Sequence, residues 1–256
     1  MNMNELVRLG TRPRSKLPSL DGTFTTASLY IEALAQLNIQ HLLYQRNDAV
    51  QSADDCRRKF VARQLFHKLA RDKKLSLLSN EHGPFKLWCD DFRPVNALLN
   101  EYLHIAGVVD WEFTYAAPVE FPHAPPWWLF IEKPEFWSAG IEDWTRVFDR
   151  RLKTFLTAMR HCEDIAAQQG PPRLSDQMQQ SWESGDFWVA YAILHSFAFD
   201  SIYWQKIDRR FFGQTETDDP SEAWKERLVL LNDTQRSEME QLVVRKLGEV
   251  GSGRVY

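Results

Sequence analysis

Cysteine is scarce in this sequence of 256 residues, and the three that occur are widely separated, at Cys56, Cys89 and Cys162. None belongs to a C-x-x-C pair or lies near a histidine at zinc spacing, so neither a disulfide framework nor a structural zinc site is predicted. No run approaches 18 uninterrupted apolar residues, and the N-terminus lacks a basic segment followed by an apolar one. We therefore expect a cytoplasmic protein with no membrane partner.

Positive charge is also not in excess, since the formal net charge is −4. Binding to nucleic acid favours a basic face, and a nucleic-acid partner is therefore not expected. Aromatic residues, by contrast, are abundant, with ten Trp and sixteen Phe. They require a large core or an apolar pocket, because exposed aromatic side chains promote aggregation.

The hydrophobic periodicity predicts an α+β protein that is mostly α-helical. Helices are expected where apolar residues recur every three or four positions, over residues 25–43, from 52, from 141, as one buried central helix over 187–204, and over 220–247. Short strands are expected at 85–88, 97–99 and 104–109, with a turn at 100–101. A long loop rich in Pro and aromatics is predicted over 113–141, with room for a short helix. A helix break is predicted at Gly170-Pro171-Pro172.

The ends of the chain have a different composition from the middle. Residues 1–24 contain scattered Gly and Pro among basic and polar residues, which predicts an irregular lead-in or linker. Residues 25–247 are predicted to form one folded lobe, and residues 248–256 a flexible tail.

One region carries a pattern suited to phosphoryl transfer. It begins with Trp88-Cys-Asp-Asp-Phe-Arg-Pro-Val-Asn96 and continues, after the predicted hairpin, with Gly107-Val-Val-Asp-Trp-Glu112. An Asp followed five residues later by Asn places both on one short loop, and a strand pair then presents a second Asp beside them. Phosphoryl transfer requires a carboxylate for the attacking hydroxyl, and an amide oxygen with a second carboxylate for magnesium. Asp91, Asn96 and Asp110 satisfy this requirement.

The loop D-F-R-P-V-N resembles the catalytic loop of the kinase-like fold, which reads H-R-D-L-x-x-x-N in protein kinases and H-G-D-x-x-x-x-N in aminoglycoside phosphotransferases. The segment G-V-V-D-W-E resembles the strand and Asp that replace D-F-G in the latter. The chain is therefore similar to the aminoglycoside phosphotransferase and protein kinase-like superfamily, in particular to its fungal members. The resemblance implies a helical C-terminal lobe over about 25–247, with a small β-hairpin at the catalytic loop.

The resemblance also implies roles for individual residues. Asp91 would be the catalytic base toward a hydroxyl of a small-molecule acceptor. Asn96 and Asp110 would bind Mg²⁺ over the phosphates of ATP, or of another nucleoside triphosphate. Arg93 would steady the transferred phosphoryl group, and Glu112 would be a secondary partner of the magnesium.

Other interpretations of the same residues remain open. Asp90 competes with Asp91 for the role of base, although the spacing to Asn96 favours Asp91. Asp91 and Asn96 are also common turn and capping residues, and Arg93 can simply pair with a neighbouring carboxylate. Asp110 is harder to explain structurally, because an unpaired buried carboxylate is costly. The pair Trp127-Trp128 suits core packing better than an acceptor pocket.

Two departures from the family pattern matter. Cys89 stands where the family motif has a His that helps to hold the catalytic loop. In addition, the sequence contains no G-x-G-x-x-G, and the residues before Thr25 leave no room for a five-stranded N-terminal β lobe. We therefore expect that lobe to be absent, catalysis to be impaired, and an apolar surface to be open to self-association or to a partner.

Two alternative functions follow. The first is a non-catalytic, pseudokinase-like remnant that acts as a binding or interaction domain. The second is a divalent-metal hydrolase that uses four acidic residues, although it lacks the histidines that such sites commonly add. These residues are Asp90, Asp91, Asp110 and Glu112.

Overall fold

The structure is a computed structural model that describes residues 3–8, 10–16, 22–46, 49–130, 132–166 and 173–251. Over these residues the protein is α+β and mostly helical, with two small two-stranded antiparallel sheets, as the sequence predicts. None of the described helices has both the length and the apolar character needed to cross a membrane. The chain divides into two compact units: a first unit of Met1–Glu81 and Tyr191–Tyr256, and a second unit of His82–Ala190.

The elements follow one another in a simple order. Three helices open the chain: α1 (Met3–Arg8), α2 (Ala27–Tyr44) and α3 (Ala53–Arg71). Four strands follow: β1 (Lys86–Cys89), β2 (Ala97–Leu99), β3 (Ile105–Val108) and β4 (Thr114–Ala117). The remaining helices are α4 (Glu120–His123), α5 (Ile141–Ile165), α6 (Leu174–Ser184), α7 (Asp186–Leu194), α8 (Phe199–Ile202), α9 (Asp208–Phe212), α10 (Trp224–Arg227) and α11 (Asp233–Gly251). A π-helical turn, Tyr203–Ile207, joins α8 to α9.

The first two long helices begin where the sequence predicts. The hydroxyl of Thr26 accepts a hydrogen bond from the backbone N–H of Leu29 at 3.2 Å, and so caps α2. The hydroxyl of Ser52 accepts one from the N–H of Asp55 at 3.1 Å, and so caps α3. Each cap satisfies one of the backbone donors that a helix leaves free in its first turn.

The prediction of one continuous helix over 187–204 is wrong. Helix α7 ends at Leu194, and the chain turns before α8 begins at Phe199. Near this end the side-chain amide of Asn38 donates to the carbonyl of Ile193 at 3.4 Å, and the ring of Phe197 meets the ring of His41 edge-on at 5.1 Å. These partners come from α2, distant in sequence, so the run of apolar residues gives no local signal for the break.

The prediction of one helix over 220–247 is also wrong, because α10, a 3₁₀ turn at Leu228–Leu230 and α11 occupy this stretch. Helix α11 has its own start. The Asn232 carboxamide accepts from the N–H of Gln235 at 2.8 Å, and the Gln235 carboxamide accepts from the N–H of Asn232 at 3.0 Å. This reciprocal pair is a capping box, and the sequence Asn-Asp-Thr-Gln was a legible signal for it.

The predicted irregular lead-in over 1–24 contains α1 and a 3₁₀ turn at Arg14–Lys16. Helix α11 continues into the predicted tail as far as Gly251, and residues 252–256 lie outside the described residues. The break predicted at 170–172 also lies outside them. The boundaries predicted at 24/25 and 247/248 stay predictions.

Aromatic side chains build the core of the second unit. The rings of Trp144 and Phe148 stack with centroids 4.5 Å apart, and Phe187 stacks on Phe148 at 5.5 Å. The indole N–H of Trp182 donates to the carboxylate of Asp149 at 3.1 Å, so its polar atom is satisfied. In the first unit Phe66 meets Phe199 edge-on at 5.1 Å. The abundant aromatics therefore serve largely as core, because burial of these large side chains is strongly favourable.

A buried histidine makes the first unit sensitive to acid. Burial, together with the nearby positive charges of Arg63 and Lys246, lowers the pKa of His41 from 6.5 to about 4. A base with a lower pKa in the folded state binds its proton preferentially in the unfolded state. The contribution of neutral His41 to the free energy of unfolding is therefore complete above pH 6.5 and is lost as the pH falls toward 4.

We expect the free energy of unfolding to fall by up to about 3 kcal/mol between pH 7 and pH 4 on account of this one side chain. In His41→Gln this part of the pH dependence should vanish, while the slope above pH 7 stays as in the wild type. Urea unfolding followed by circular dichroism at several pH values measures both. Equal slopes for the two proteins between pH 6.5 and 4 would contradict the assignment.

Candidate active site

The two predicted motifs both lie in the second unit, and the pairing of β1 with β4 joins them. The strands are antiparallel, with Cys89 opposite Thr114. Just beyond the strands, the N–H of Asp90 donates to the carbonyl of Phe113 at 3.3 Å. Asp90 of the first motif therefore lies beside Phe113, the residue that directly follows the second motif.

The predicted hairpin is confirmed, and it joins the motifs a second time. Strands β2 and β3 are antiparallel, with Ala97 opposite Val108. One residue further, the N–H of Val109 donates to the carbonyl of Asn96 at 2.9 Å. Asn96 and the residue before Asp110 are thus hydrogen-bonded at the same end of the hairpin. Because backbone bonds fix both contacts, the two motifs are held together independently of their side chains.

The side chain of Asn96 fixes the loop that precedes the hairpin. The residue is only 5% exposed, and its amide N–H donates to the carbonyl of Asp91 at 2.9 Å. Its amide oxygen accepts no hydrogen bond from any residue that the structure describes. A carboxamide oxygen is a hard ligand of the kind that Mg²⁺ prefers. The Asn96 side chain can therefore shape the loop with one end and bind a cation with the other.

Cys89 occupies the position where the resemblance leads one to expect histidine. The thiol is buried, and its sulfur lies 4.0 Å from the carbonyl oxygen of Asp110, the long limit for a sulfur donor. A thiol is a weak donor. The residue therefore makes a contact between the two motifs, although a weaker one than an imidazole N–H could give.

The two neighbouring carboxylates of the loop have different partners. Asp90 is exposed, and its Oδ1 accepts from the indole N–H of Trp88 at 2.7 Å and from the hydroxyl of Tyr115 at 3.1 Å. Trp88 and Tyr115 stand opposite each other on β1 and β4. Asp90 therefore braces the strand pair, which leaves Asp91 as the better candidate for chemistry.

Asp91 is half-buried and is paired with Arg93. The Nε of Arg93 lies 3.0 Å from Oδ1 of Asp91, and Nη2 donates to Oδ2 at 3.4 Å. This is the pairing with a neighbouring carboxylate that the sequence left open as an alternative role for Arg93. The arginine side chain is 43% exposed, and exposed ion pairs contribute little to stability. The pair can therefore rearrange at small cost when another anion approaches.

Asp110 has an uncommon backbone conformation. Its φ is +69°, in the left-handed region that residues other than Gly seldom adopt. The residue is exposed, and no described residue donates a hydrogen bond to its carboxylate or forms an ion pair with it. The neighbouring Glu112 is likewise exposed and without a partner among the described residues. The local strain is thus not offset by any contact of the Asp110 side chain.

Among the residues that the structure describes, no group of three His, Cys, Asp or Glu is placed to hold a metal ion. The hydrolase alternative would need such a cluster from Asp90, Asp91, Asp110 and Glu112, and it stays a prediction. The predicted magnesium pair of Asn96 and Asp110 does not need one, because Mg²⁺ in phosphoryl transfer is bound by one or two protein groups together with phosphates and waters.

Sequence reasoning missed the brace formed by Trp88, Asp90 and Tyr115, because β4 lies inside the segment predicted as a loop. A signal was present, since Trp88 and Asp90 are two residues apart and hence on one face of a strand. It also missed the exposed stack of Phe92 on Trp111, whose ring centroids are 6.0 Å apart. This stack is a further side-chain contact between the motifs.

No protein-family model matches the chain, and no curated protein or solved structure matches it either. The resemblance to the kinase-like superfamily therefore depends on the two motifs alone.

The strain at Asp110 leads to a stability prediction. Replacement by Gly relieves the left-handed backbone, so Asp110→Gly should raise the free energy of unfolding by about 1 kcal/mol. The matched control is Glu112→Gly, two residues away and equally without a partner, where φ is not positive and Gly should cost stability through the unfolded chain. Urea unfolding measures both. A loss of stability in both variants would show that Asp110 is not strained.

Proposed function

We propose that this chain is the helical C-terminal lobe of a kinase-like phosphotransferase of the aminoglycoside phosphotransferase type. The reaction is transfer of a phosphoryl group from ATP, with Mg²⁺, to a hydroxyl of a small molecule. One observation supports the proposal most. Asn96 binds the Asp91 carbonyl through its side chain and the Val109 N–H through its backbone carbonyl. The loop with the base and the amide oxygen is thereby fixed beside the segment that carries Asp110.

Each residue has a role that its surroundings permit. Asp91 accepts the proton of the acceptor hydroxyl as the phosphoryl group is transferred. The amide oxygen of Asn96 and the carboxylate of Asp110 would hold Mg²⁺, which would supply positive charge to the triphosphate. Glu112 is exposed two residues from Asp110 and can bind a water of the magnesium. Arg93 leaves Asp91 and turns toward the transferred phosphoryl group.

A second candidate is the non-catalytic remnant that acts as a binding domain. The described residues before β1 form helices and no strand, so none of them forms a β lobe that could cover the phosphates of ATP. Positioning and electrostatic stabilisation supply nearly all of the catalysis in phosphoryl transfer. A lobe whose described residues supply no loop over the phosphates can keep the geometry of the proposed magnesium site and still turn over very slowly.

Binding of the nucleotide is tested by thermal unfolding with and without Mg-ATP. We expect magnesium-dependent stabilisation, since a ligand of the native state stabilises by about 2.7 kcal/mol at a concentration of 100 Kd. Asp110→Asn should abolish the shift, because it removes the carboxylate that binds magnesium. The control Glu101→Gln neutralises an exposed carboxylate in the hairpin turn and should keep the shift. Absence of any shift in the wild type would contradict the proposal and favour the non-catalytic domain.

Turnover is tested by magnesium-dependent ATP consumption with a panel of hydroxylated acceptors. Loss of a general base typically costs a factor of about 10² to 10⁴, and we expect a loss in this range for Asp91→Ala. Asp90→Asn, which changes the neighbouring carboxylate that braces the strands, should change the rate much less. An unchanged rate in Asp91→Ala would remove Asp91 from the mechanism.

A further inference from the structure

A groove in the first unit carries polar side chains that the proposed phosphoryl transfer does not use. Helix α3 packs against both α2 and α11 and forms the floor of the groove, and α2 and α11 form its walls. The groove encloses a cavity of about 680 Å³, a size that suits a small molecule. Six of the side chains that line it are carboxamides: Gln36, Gln40, Gln64, Asn232, Gln235 and Gln241.

The groove offers a ligand hydrogen bonds more than apolar contact. Three apolar residues of the lining, Ile39, Phe60 and Leu242, are each at most 8% exposed. Gln36 and Gln40 lie four residues apart and hence on one face of α2, and neither carboxamide bonds to a residue that the structure describes. A carboxamide donates and accepts at once, as a hydroxyl does. The walls therefore suit a ligand with several hydroxyl groups rather than an apolar one.

Arg71 differs from the other cations of α3. The five other Lys and Arg residues of this helix each pair with a carboxylate of the protein: Arg57, Arg58, Lys59, Arg63 and Lys68. Arg71, the last residue of α3, is exposed and forms no ion pair or hydrogen bond within the described ranges. It lines the groove and also an adjoining cavity of about 210 Å³. Because a guanidinium binds carboxylate and phosphate groups in a bidentate way, an anionic group of a ligand can supply the missing partner.

Arg71 stands at one end of the groove. Helices α3 and α11 are antiparallel, because hydrogen bonds join Gln64 to Gln235 at 3.0 Å and, further along, Arg57 to Glu240 at 2.8 Å. Arg71 lies seven residues beyond Gln64, or about 10 Å along the helix axis. A ligand held by Arg71 and extending along α3 therefore reaches the carboxamides.

The charge of the lining also favours an anion. It includes two arginines, Arg71 and Arg245, and one acidic residue, Glu238. Burial and the charge of Arg71 lower the pKa of His67, so this imidazole of the floor is neutral at pH 7. The guanidinium of Arg245 donates to the backbone carbonyl of Leu43 at 3.2 Å and pairs with no carboxylate of the described chain. The lining therefore has a net positive charge at neutral pH.

We propose that this groove binds a small polyhydroxylated anion of the sugar phosphate or sugar acid class. Arg71 binds the phosphate or carboxylate group, and the carboxamides of Gln36, Gln40 and Gln64 bind the hydroxyl groups. The groove belongs to the first unit and the candidate active site to the second. The proposed binding therefore does not depend on the proposed phosphoryl transfer.

The test is isothermal titration calorimetry of the whole chain in EDTA, which keeps magnesium from the candidate active site. The probes are glucose 6-phosphate, gluconate, inorganic phosphate and glucose, each at up to about 10 mM, a range that covers weak binding. We expect at least one of the two sugar anions to bind, inorganic phosphate to bind at least tenfold more weakly, and glucose not to bind. The relative affinities of the two sugar anions show whether Arg71 prefers phosphate or carboxylate.

Two variants test the assigned contacts. Arg71→Gln should weaken the tighter sugar anion by at least about tenfold, because it removes charge-assisted hydrogen bonds. Gln36→Met keeps the length of the side chain, so it should weaken the sugar anion and leave the binding of inorganic phosphate unchanged. Both residues are exposed, and circular dichroism checks that the variants keep the fold.

The matched control is Arg150→Gln, since Arg150 is an exposed arginine of α5, in the second unit, that forms no ion pair with a described residue. It should leave binding unchanged. Asp110→Asn should also leave it unchanged, which separates this groove from the candidate active site. The proposal would be overturned if neither sugar anion bound, if inorganic phosphate or glucose bound as tightly, or if Arg71→Gln had no larger effect than Arg150→Gln.

Discussion

The antiparallel pairing of β1 with β4 is the contact on which the candidate site depends. It places the start of the loop at Asp90 beside Phe113, and the intervening chain has to return through the β2–β3 hairpin. The bonds that close this arrangement are between backbone groups, which form wherever strands pair and do not require particular side chains. The backbone of the site is therefore fixed by the strand pairing, and its exposed side chains are not needed to hold it in place.

Within this frame, the stability of the backbone and the proposed function make opposite demands. Asp110 has a left-handed backbone, an exposed carboxylate and no partner in the described part of the chain. A residue selected only for stability at this position would be Gly. A carboxylate held at such a cost is typical of a binding site, because the strain can persist only where the surrounding structure enforces it. The contacts from Cys89 and Val109 to this segment supply that enforcement.

The first unit is held in a different way, by buried ion pairs. The guanidinium of Arg227 donates to both carboxylate oxygens of Asp208, at 3.1 and 2.9 Å, and Arg63 lies with Nη2 3.1 Å from Oδ2 of Asp200. Removing one member of such a pair would leave a buried charge unpaired, which is strongly unfavourable. The turns that connect α8, α9 and α10 are therefore fixed by a few ion pairs as well as by apolar packing.

Much of this protein could be predicted from sequence because the signals are local. The caps at Thr26 and Ser52, the period of α5, the short strands of the hairpin and the Asp91–Asn96 spacing each depend on neighbours a few residues apart. The same holds for the predominance of helix, since periodicity is a property of a short window. The spacing to Asn96 also favoured Asp91 over Asp90 for the role of base that the resemblance implies.

The tertiary structure decided what depends on distant partners. It ended α7 at Leu194, where Asn38 of α2 supplies a hydrogen bond to Ile193, and it formed β4 from a segment that looks like a loop because its partner is more than twenty residues away. It also distinguished Asp90 from Asp91, since only the folded strands bring the hydroxyl of Tyr115 to the carboxylate of Asp90. A local pattern fixes which backbone conformation is favourable, but contacts between remote segments depend on a packing that no short window contains.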